Sequence, residues 1–169
     1  MKKTLIFIVL TLFWTVLLFP KNVLWNNFTQ NMSNKNIIII ARQKEDKRYK
    51  FTTNDTKVYF KSIKIANIGQ IEAWLWLFYN EIELKNLRLS KKMPILKNLK
   101  ILNSHITYTL LSPTKVKIEG KSKRGDFIGE VEIFKHKGFI LLKSNAIRDT
   151  FLQQYFKKTK EGMRYEFAY

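Results

Sequence analysis

The chain has 169 residues, 31 Lys and Arg against 13 Asp and Glu, a formal charge of +18 and no cysteine. Disulfides, thiolate metal sites and cysteine nucleophiles are excluded, so an exported domain must be held by its core alone. Lys2 and Lys3 carry two of the charges and no acid precedes Glu45, which leaves +16 from Lys21 onward and favours anionic partners such as lipid phosphates, nucleic acid or acidic protein.

Leu5–Phe19 (LIFIVLTLFWTVLLF) holds no charge, and Thr4 and Pro20 extend it to seventeen residues. That is the lower end for a membrane-spanning helix, and Trp25 suits the lipid–water interface beyond it. Cleavage by signal peptidase needs small residues after the apolar core, and Leu17–Val23 supplies none. The segment therefore reads as an uncleaved anchor over residues 1–20. Lys2 and Lys3 place the N-terminus in the cytoplasm and the remainder in a bacterial periplasm.

Residues 21–36 are polar and asparagine-rich, a membrane-proximal linker or short helix. Residues 37–169 read as one β-rich domain. Ile37–Ala41 is a β-branched run suited to a buried strand, Arg42–Arg48 a charged turn, and Tyr49–Thr53 the returning hairpin partner. In Thr56–Ala66, Val58 and Phe60 share one parity while Ile63 and Ile65 share the other, which predicts a β-bulge near Lys61-Ser62. The same slip recurs in Glu81–Leu89, between Ile82 and Leu84 and then Leu87 and Leu89. Two slips of this kind predict a curved sheet.

Ile68–Asn80 (IGQIEAWLWLFYN) is the most aromatic stretch. Ile71, Trp74, Leu75 and Phe78 fall at helical spacing and predict a short helical turn, although Trp74, Trp76 and Phe78 also alternate as a strand does. Ile95–Leu102 is apolar around Lys97, Asn98 and Lys100. His105–Leu110 and Lys115–Glu119 read as strands about the Ser112-Pro113 turn, and Gly120–Gly125 as a further turn. Phe127–Phe134 and Phe139–Lys143 form the clearest hairpin. Arg148–Lys158 predicts an amphipathic helix capped by Gly162, and Met163–Tyr169 a closing strand. The fold class is thus mainly β: an N-terminal transmembrane helix, then a curved, bulged, mostly antiparallel sheet with one or two short helices.

No nucleotide, protease or hydrolase motif occurs, which predicts a non-enzymatic protein without a cofactor. His105 and His136 lack ligand partners at metal-site spacing. The pairs Glu81/Glu83 and Glu130/Glu132 each share a strand face and read as solvated faces balancing nearby lysines. Two features are candidates for a lipid or partner surface: the aromatics Trp74, Trp76 and Phe78, and the basic turn Lys121, Lys123 and Arg124. Core packing is the commoner fate of the first, and a solvated turn of the second. An exported domain rarely meets nucleic acid, so none is expected as a partner.

Lys115–Glu119, the run Gly125–Ile133 (GDFIGEVEI) and the Glu161–Glu166 close (EGMRYE) resemble protein N of the bacterial type II secretion system, over about Thr56–Tyr169. That resemblance implies an inner-membrane component with one helix and a β-rich periplasmic domain, distantly similar to AsmA-like envelope proteins. Its partners are then membrane lipids and other inner-membrane or periplasmic proteins of an export complex. The architecture and length are also similar to the periplasmic lipopolysaccharide-transport component C family, which implies a curved sheet lined with apolar residues. The first resemblance predicts a scaffold in a secretion or envelope-assembly machine. The second predicts a lipid or lipopolysaccharide binding or transfer module.

Overall fold

The computed structural model describes residues 2–76, 78–90, 100–123, 125–143 and 155–169. Helix α1 spans Lys2–Leu18 and α2 spans Lys21–Ser33, with Pro20 between them at the N-cap of α2. The strands are β1 (Ile37–Lys47), β2 (Lys50–Phe60), β3 (Ile63–Leu75), β4 (Tyr79–Leu89), β5 (Lys100–Thr109), β6 (Lys115–Ser122), β7 (Gly125–Glu132), β8 (Lys137–Leu142), β9 (Lys157–Thr159) and β10 (Gly162–Ala168). They form one antiparallel sheet in the order β1-β2-β3-β4-β5-β6-β7-β8-β10-β9. The protein is mainly β. Nearly every neighbour in the sheet is also the neighbour in sequence, and short turns join β1 to β2, β2 to β3 and β7 to β8.

The turns account for several departures from the sequence reading. Lys61 and Ser62 both take positive φ (45° and 67°), the two-residue geometry that closes a hairpin. Thr56–Ala66 is therefore two strands meeting at a turn at Lys61-Ser62, and the register shift lies beside it, where Val58↔Ala66 gives way to Tyr59↔Lys64 past Ile65. Charges do not interrupt β1, whose edge position lets Arg42–Lys47 remain extended in water. Ile68–Leu75 is strand, not a helical turn, because β2 and β4 flank it on both sides and take up its backbone groups. Gly120 lies within β6, leaving a shorter turn at Lys123. Lys157–Thr159 is a short strand rather than the end of a helix, and Gly162 (φ 142°) serves the turn into β10. The rest of the expected helix, residues 148–154, and most of Ile95–Leu102 lie outside the described residues.

A crease crosses the first five strands. Pairing runs Ala41↔Thr56↔Ile68↔Leu87↔Ile101 on one side of it and Gln43↔Asn54↔Gln70↔Lys85↔Asn103 on the other, passing over Arg42, Asp55, Gly69, Asn86 and Leu102. Asp55 and Asn86 take the left-handed conformation (φ 49° and 55°), which Asn and Asp tolerate better than other side chains. The crease reverses the alternation of side chains. Thr53 and Thr56 have opposite parity, yet their hydroxyls meet at 2.9 Å and both residues are fully buried. The slip read from Ile82, Leu84, Leu87 and Leu89 is this crease at Asn86. It keeps apolar residues on one face along the whole strand, at a spacing of three across the break.

Helix α1 is apolar on every side: Leu5, Ile6, Phe7, Ile8, Val9, Leu10, Leu12, Phe13 and Trp14 are all exposed. Its 17 residues rise about 26 Å at roughly 1.5 Å each. No helix among the described residues is long and apolar enough to cross a membrane. Helix α2, where the sequence predicts a linker or short helix, packs on β1 and β2. Trp25 lies 5.5 Å from Phe51, the Asn22 amide donates to Asp46 Oδ2 at 2.9 Å, and Lys21 Nζ donates to the Arg48 carbonyl at 2.6 Å.

Candidate functional site

Strand register sorts the side chains into two faces. One row of directly opposed residues runs Phe51, Ala73, Ile82, Ile106, Ile118, Gly129, Ile140, Tyr165 across eight strands. The next row on the same face runs Thr53, Ile71, Leu84, Ser104, Gly120, Phe127, Leu142, Met163. A third holds Leu75, Asn80, Tyr108, Val116, Val131, Gly138 and Phe167. These rows contain no charged residue between β2 and β10. We call this the inner face.

Glycine lets aromatic rings lie flat on it. Phe127 stands directly opposite Gly120, and a Cβ on Gly120 would collide with the Phe127 ring and the Asn103 carbonyl. Phe167 covers Gly138 in the same way.

The opposite, outer face is polar over β2–β6. Lys50 pairs with Glu72 at 2.8 Å, and Lys85 bridges Glu72 (3.4 Å) and Glu83 (3.0 Å). His105 Nδ1 meets Glu81 at 2.7 Å, Tyr79 donates to the other oxygen of Glu81 at 2.9 Å, and Lys115 meets Glu130 at 2.7 Å. The hydrogen bond with His105 holds the Glu81 carboxyl below the usual range, helped by Tyr79 and opposed by burial. Burial, then the bond to Glu81, raises the Tyr79 hydroxyl. These contacts tie β4 to β5 across the outer face. Among the described residues no cluster of three or more His, Cys, Asp or Glu could hold a metal.

Glu72 is the most enclosed of these acids. The Lys50 ammonium holds its carboxyl below the ordinary 4.5, with Lys85 adding to the effect and burial opposing it. A depressed folded value stabilises the fold above the ordinary carboxylate range, and the gain is lost as pH falls through the folded value. Glu72→Gln is expected to cost roughly 1–2 kcal/mol at neutral pH, since Lys50 and Lys85 keep some access to water. Urea unfolding at stepwise lower pH should show the gap between variant and wild type closing as pH falls below the ordinary carboxylate range and through the lower folded value.

The inner face is incompletely filled. Of its apolar residues, Phe51 and Ile71 are buried, and Ala66 and Ile68 beyond the crease are too, but Ile82 remains 36% exposed. Ile106, Tyr108, Val116, Ile118, Phe127, Ile140 and Leu142 are all half-buried. The accessible surface is 12094 Å² for 20.2 kDa. A compact monomer of that mass exposes about 8,800 Å². The chain thus exposes about 3,300 Å² more than a compact monomer, and the exposed side chains of α1 are part of it.

The residues singled out from the sequence do not converge. Trp74 is on the outer face, stacked on Tyr49 at 5.7 Å with Lys50 Nζ 5.3 Å from its ring centroid. Trp76 lies past the end of β3 and approaches Phe13 of α1 at 6.4 Å, while Phe78 is exposed in the turn. Lys121 and Lys123 sit at the far end of β6, some six residues or about 20 Å along the strands from those aromatics. Arg124 lies outside the described residues. Sequence reasoning missed the inner face as a unit and missed Lys21. The i, i+3 apolar spacing of Ile68 and Ile71 in β3 and of Leu84 and Leu87 in β4 is the available signal for the first.

Comparison of the chain with protein-family models, curated proteins and solved structures finds no match.

Proposed function

We propose that this protein is a non-enzymatic lipid-binding or lipid-transfer module of the bacterial envelope, held at the inner membrane by α1 with its sheet in the periplasm. The observation that carries this reading is the pair of charge-free rows that continue from β2 to β10 on one face, in which Ile82 is exposed and Ile106, Ile118, Phe127, Ile140 and Leu142 are only half-buried. An uncharged face of this extent that its own chain leaves partly wet is a binding surface for apolar matter. The crease and the register shifts curve the sheet around that face, which becomes its concave side. Acyl chains lie on it, and the +16 charge beyond α1 meets phosphates at the rim. The all-round apolar surface of α1 suits insertion into lipid, and Lys2 and Lys3 retain it on the cytoplasmic side.

Mass spectrometry of organic extracts from the gently solubilised protein tests the reading. Phospholipid or lipopolysaccharide at near-stoichiometric amounts is expected. Protein that emerges lipid-free and takes up none from vesicles contradicts it.

A second reading, a scaffold in a secretion or envelope-assembly machine, draws on the edge strand. The outer side of β1 pairs with no strand of this sheet over 11 residues, and Ile38 and Ile40 are exposed there. Such an edge can accept a strand from another protein. Enrichment of crosslinked neighbours from cysteines placed along β1 would separate this role from lipid carriage.

A further inference from the structure

A cavity of about 240 Å³ lies where the helices meet the sheet, lined by Thr15 and Phe19 at the end of α1, Lys21 and Leu24 of α2, and Leu75, Trp76 and Asn80 of the β3–β4 hairpin. Its walls join two apolar surfaces. Leu75 belongs to the third inner-face row, so the cavity continues that face at its α1 end. Thr15 and Phe19 belong to the apolar segment, whose residues Leu5–Leu10 are exposed.

Lys21 gives the cavity a polar feature of one sign. The residue is 3% exposed, and its ammonium donates to the Arg48 carbonyl at 2.6 Å and the Phe19 carbonyl at 3.5 Å. Among the described residues no carboxylate lies within ion-pair reach of it; Asp46, the nearby acid, accepts instead from the Asn22 amide. Two carbonyls leave the third N–H of the ammonium and its full charge without an anion, a costly arrangement for a buried group.

We infer that this cavity is the portal through which a membrane phospholipid leaves the bilayer, one acyl chain passing between Trp76 and Leu24 onto the inner face and the phosphate resting on Lys21. The volume fits part of one chain and not a whole lipid, as suits a passage. Position supports it: Lys21 follows the apolar segment directly, at the depth where phosphates lie. The inference rests on the proposed lipid-binding function and names the entry point and the chemistry recognised there.

The test uses full-length protein in vesicles containing a phosphatidylethanolamine with a photoreactive acyl chain, read as labelled peptides over time. Label is expected on the peptides of the portal and of β5–β8. Leu24→Asp sets a charge in the portal at a solvent-accessible helix position, and should slow vesicle-derived labelling of β5–β8 at least fivefold. Circular dichroism and the urea midpoint of the variant show that it is folded, and labelling of the wild type by the same lipid offered in detergent shows that the inner face takes up lipid without the vesicle route. A photoreactive diacylglycerol, lacking the phosphate, should label the portal at least fivefold less than the phospholipid. Equal vesicle rates for wild type and Leu24→Asp, or equal labelling by the two lipids, would overturn the portal while leaving the lipid-binding function standing. Absence of β5–β8 label in both formats overturns the function itself, and the portal with it.

Discussion

Ile106→Asp is expected to reduce lipid recovered with the full-length protein more than tenfold. Ile106 occupies the middle of the first inner row, between Ile82 and Ile118, and is half-buried. A carboxylate there would be desolvated by any acyl chain laid across the row. A loss of tenfold corresponds to about 1.4 kcal/mol, which is small against the cost of covering an ionised group with hydrocarbon. The empty protein leaves the site partly wet, so the same carboxylate is tolerated in the lipid-free fold. Thr107→Asp, one residue on and directed to the outer face beside Glu81, serves as the control and should retain lipid. Circular dichroism and urea midpoints show whether either variant is folded. Ile106→Trp keeps the face apolar but fills it, and should also lower lipid content without destabilising the fold. Undiminished lipid in both Ile106 variants would move the ligand off this face.

Gly162→Ala is expected to destabilise the C-terminal strands by about 3 kcal/mol or more. Gly162 holds φ 142°, a conformation essentially closed to residues with a side chain. Space is lacking as well as torsional freedom, since an added Cβ would strike the Leu142 carbonyl in β8. The backbone must shift, and with it the pairings Met163↔Leu142 and Gly162↔Thr159. Limited proteolysis should release the segment after Lys143 from the variant well before the wild type, and the urea midpoint should fall. Because β10 contributes Met163, Tyr165 and Phe167 to the inner face, lipid content should fall with it. An unchanged midpoint would show that the turn at Gly162 adopts another geometry.

The sheet was legible from residues whose environment is local. Phe127–Phe134 and Phe139–Lys143 are apolar-rich runs on either side of Lys135–Gly138, and the structure places β7 and β8 there with Ile133–His136 between them. Met163–Tyr169 likewise became β10. Where the reading went astray, a distant strand decided the outcome. Ile71, Trp74 and Leu75 have helical spacing, but β2 and β4 bracket that segment and hold it extended. The parity slip around Lys61-Ser62 reads as a bulge, and the structure has a two-residue turn there with the register shift at Val58/Tyr59 beside it. The slip at Leu84 and Leu87 was read correctly as a break in phase, yet its alignment with Asp55 and Gly69 depends on register that no single strand encodes.

The candidate site was less legible for a related reason. Aromatic content drew attention to Trp74 and Phe78, whereas the structure commits Trp74 to a stack with Tyr49 on the outer face and leaves Phe78 in a turn. The inner face is built from ordinary Ile, Leu, Val and Phe, each unremarkable in its own strand, and becomes a site only through opposition across the sheet. Lys21 is similarly unmarked among so many lysines. Its burial follows from the turn at Pro20 and the seat of α2 on β1 and β2.

The most direct test of the central claim is photocrosslinking by residue-specific probes along one strand in intact cells. A benzophenone side chain placed in turn at Ile106, Thr107, Tyr108, Lys117 and Ile118 samples the two faces alternately. The account predicts lipid adducts from Ile106, Tyr108 and Ile118 and none from Thr107 and Lys117. Adducts from both faces alike, or from neither, would contradict it.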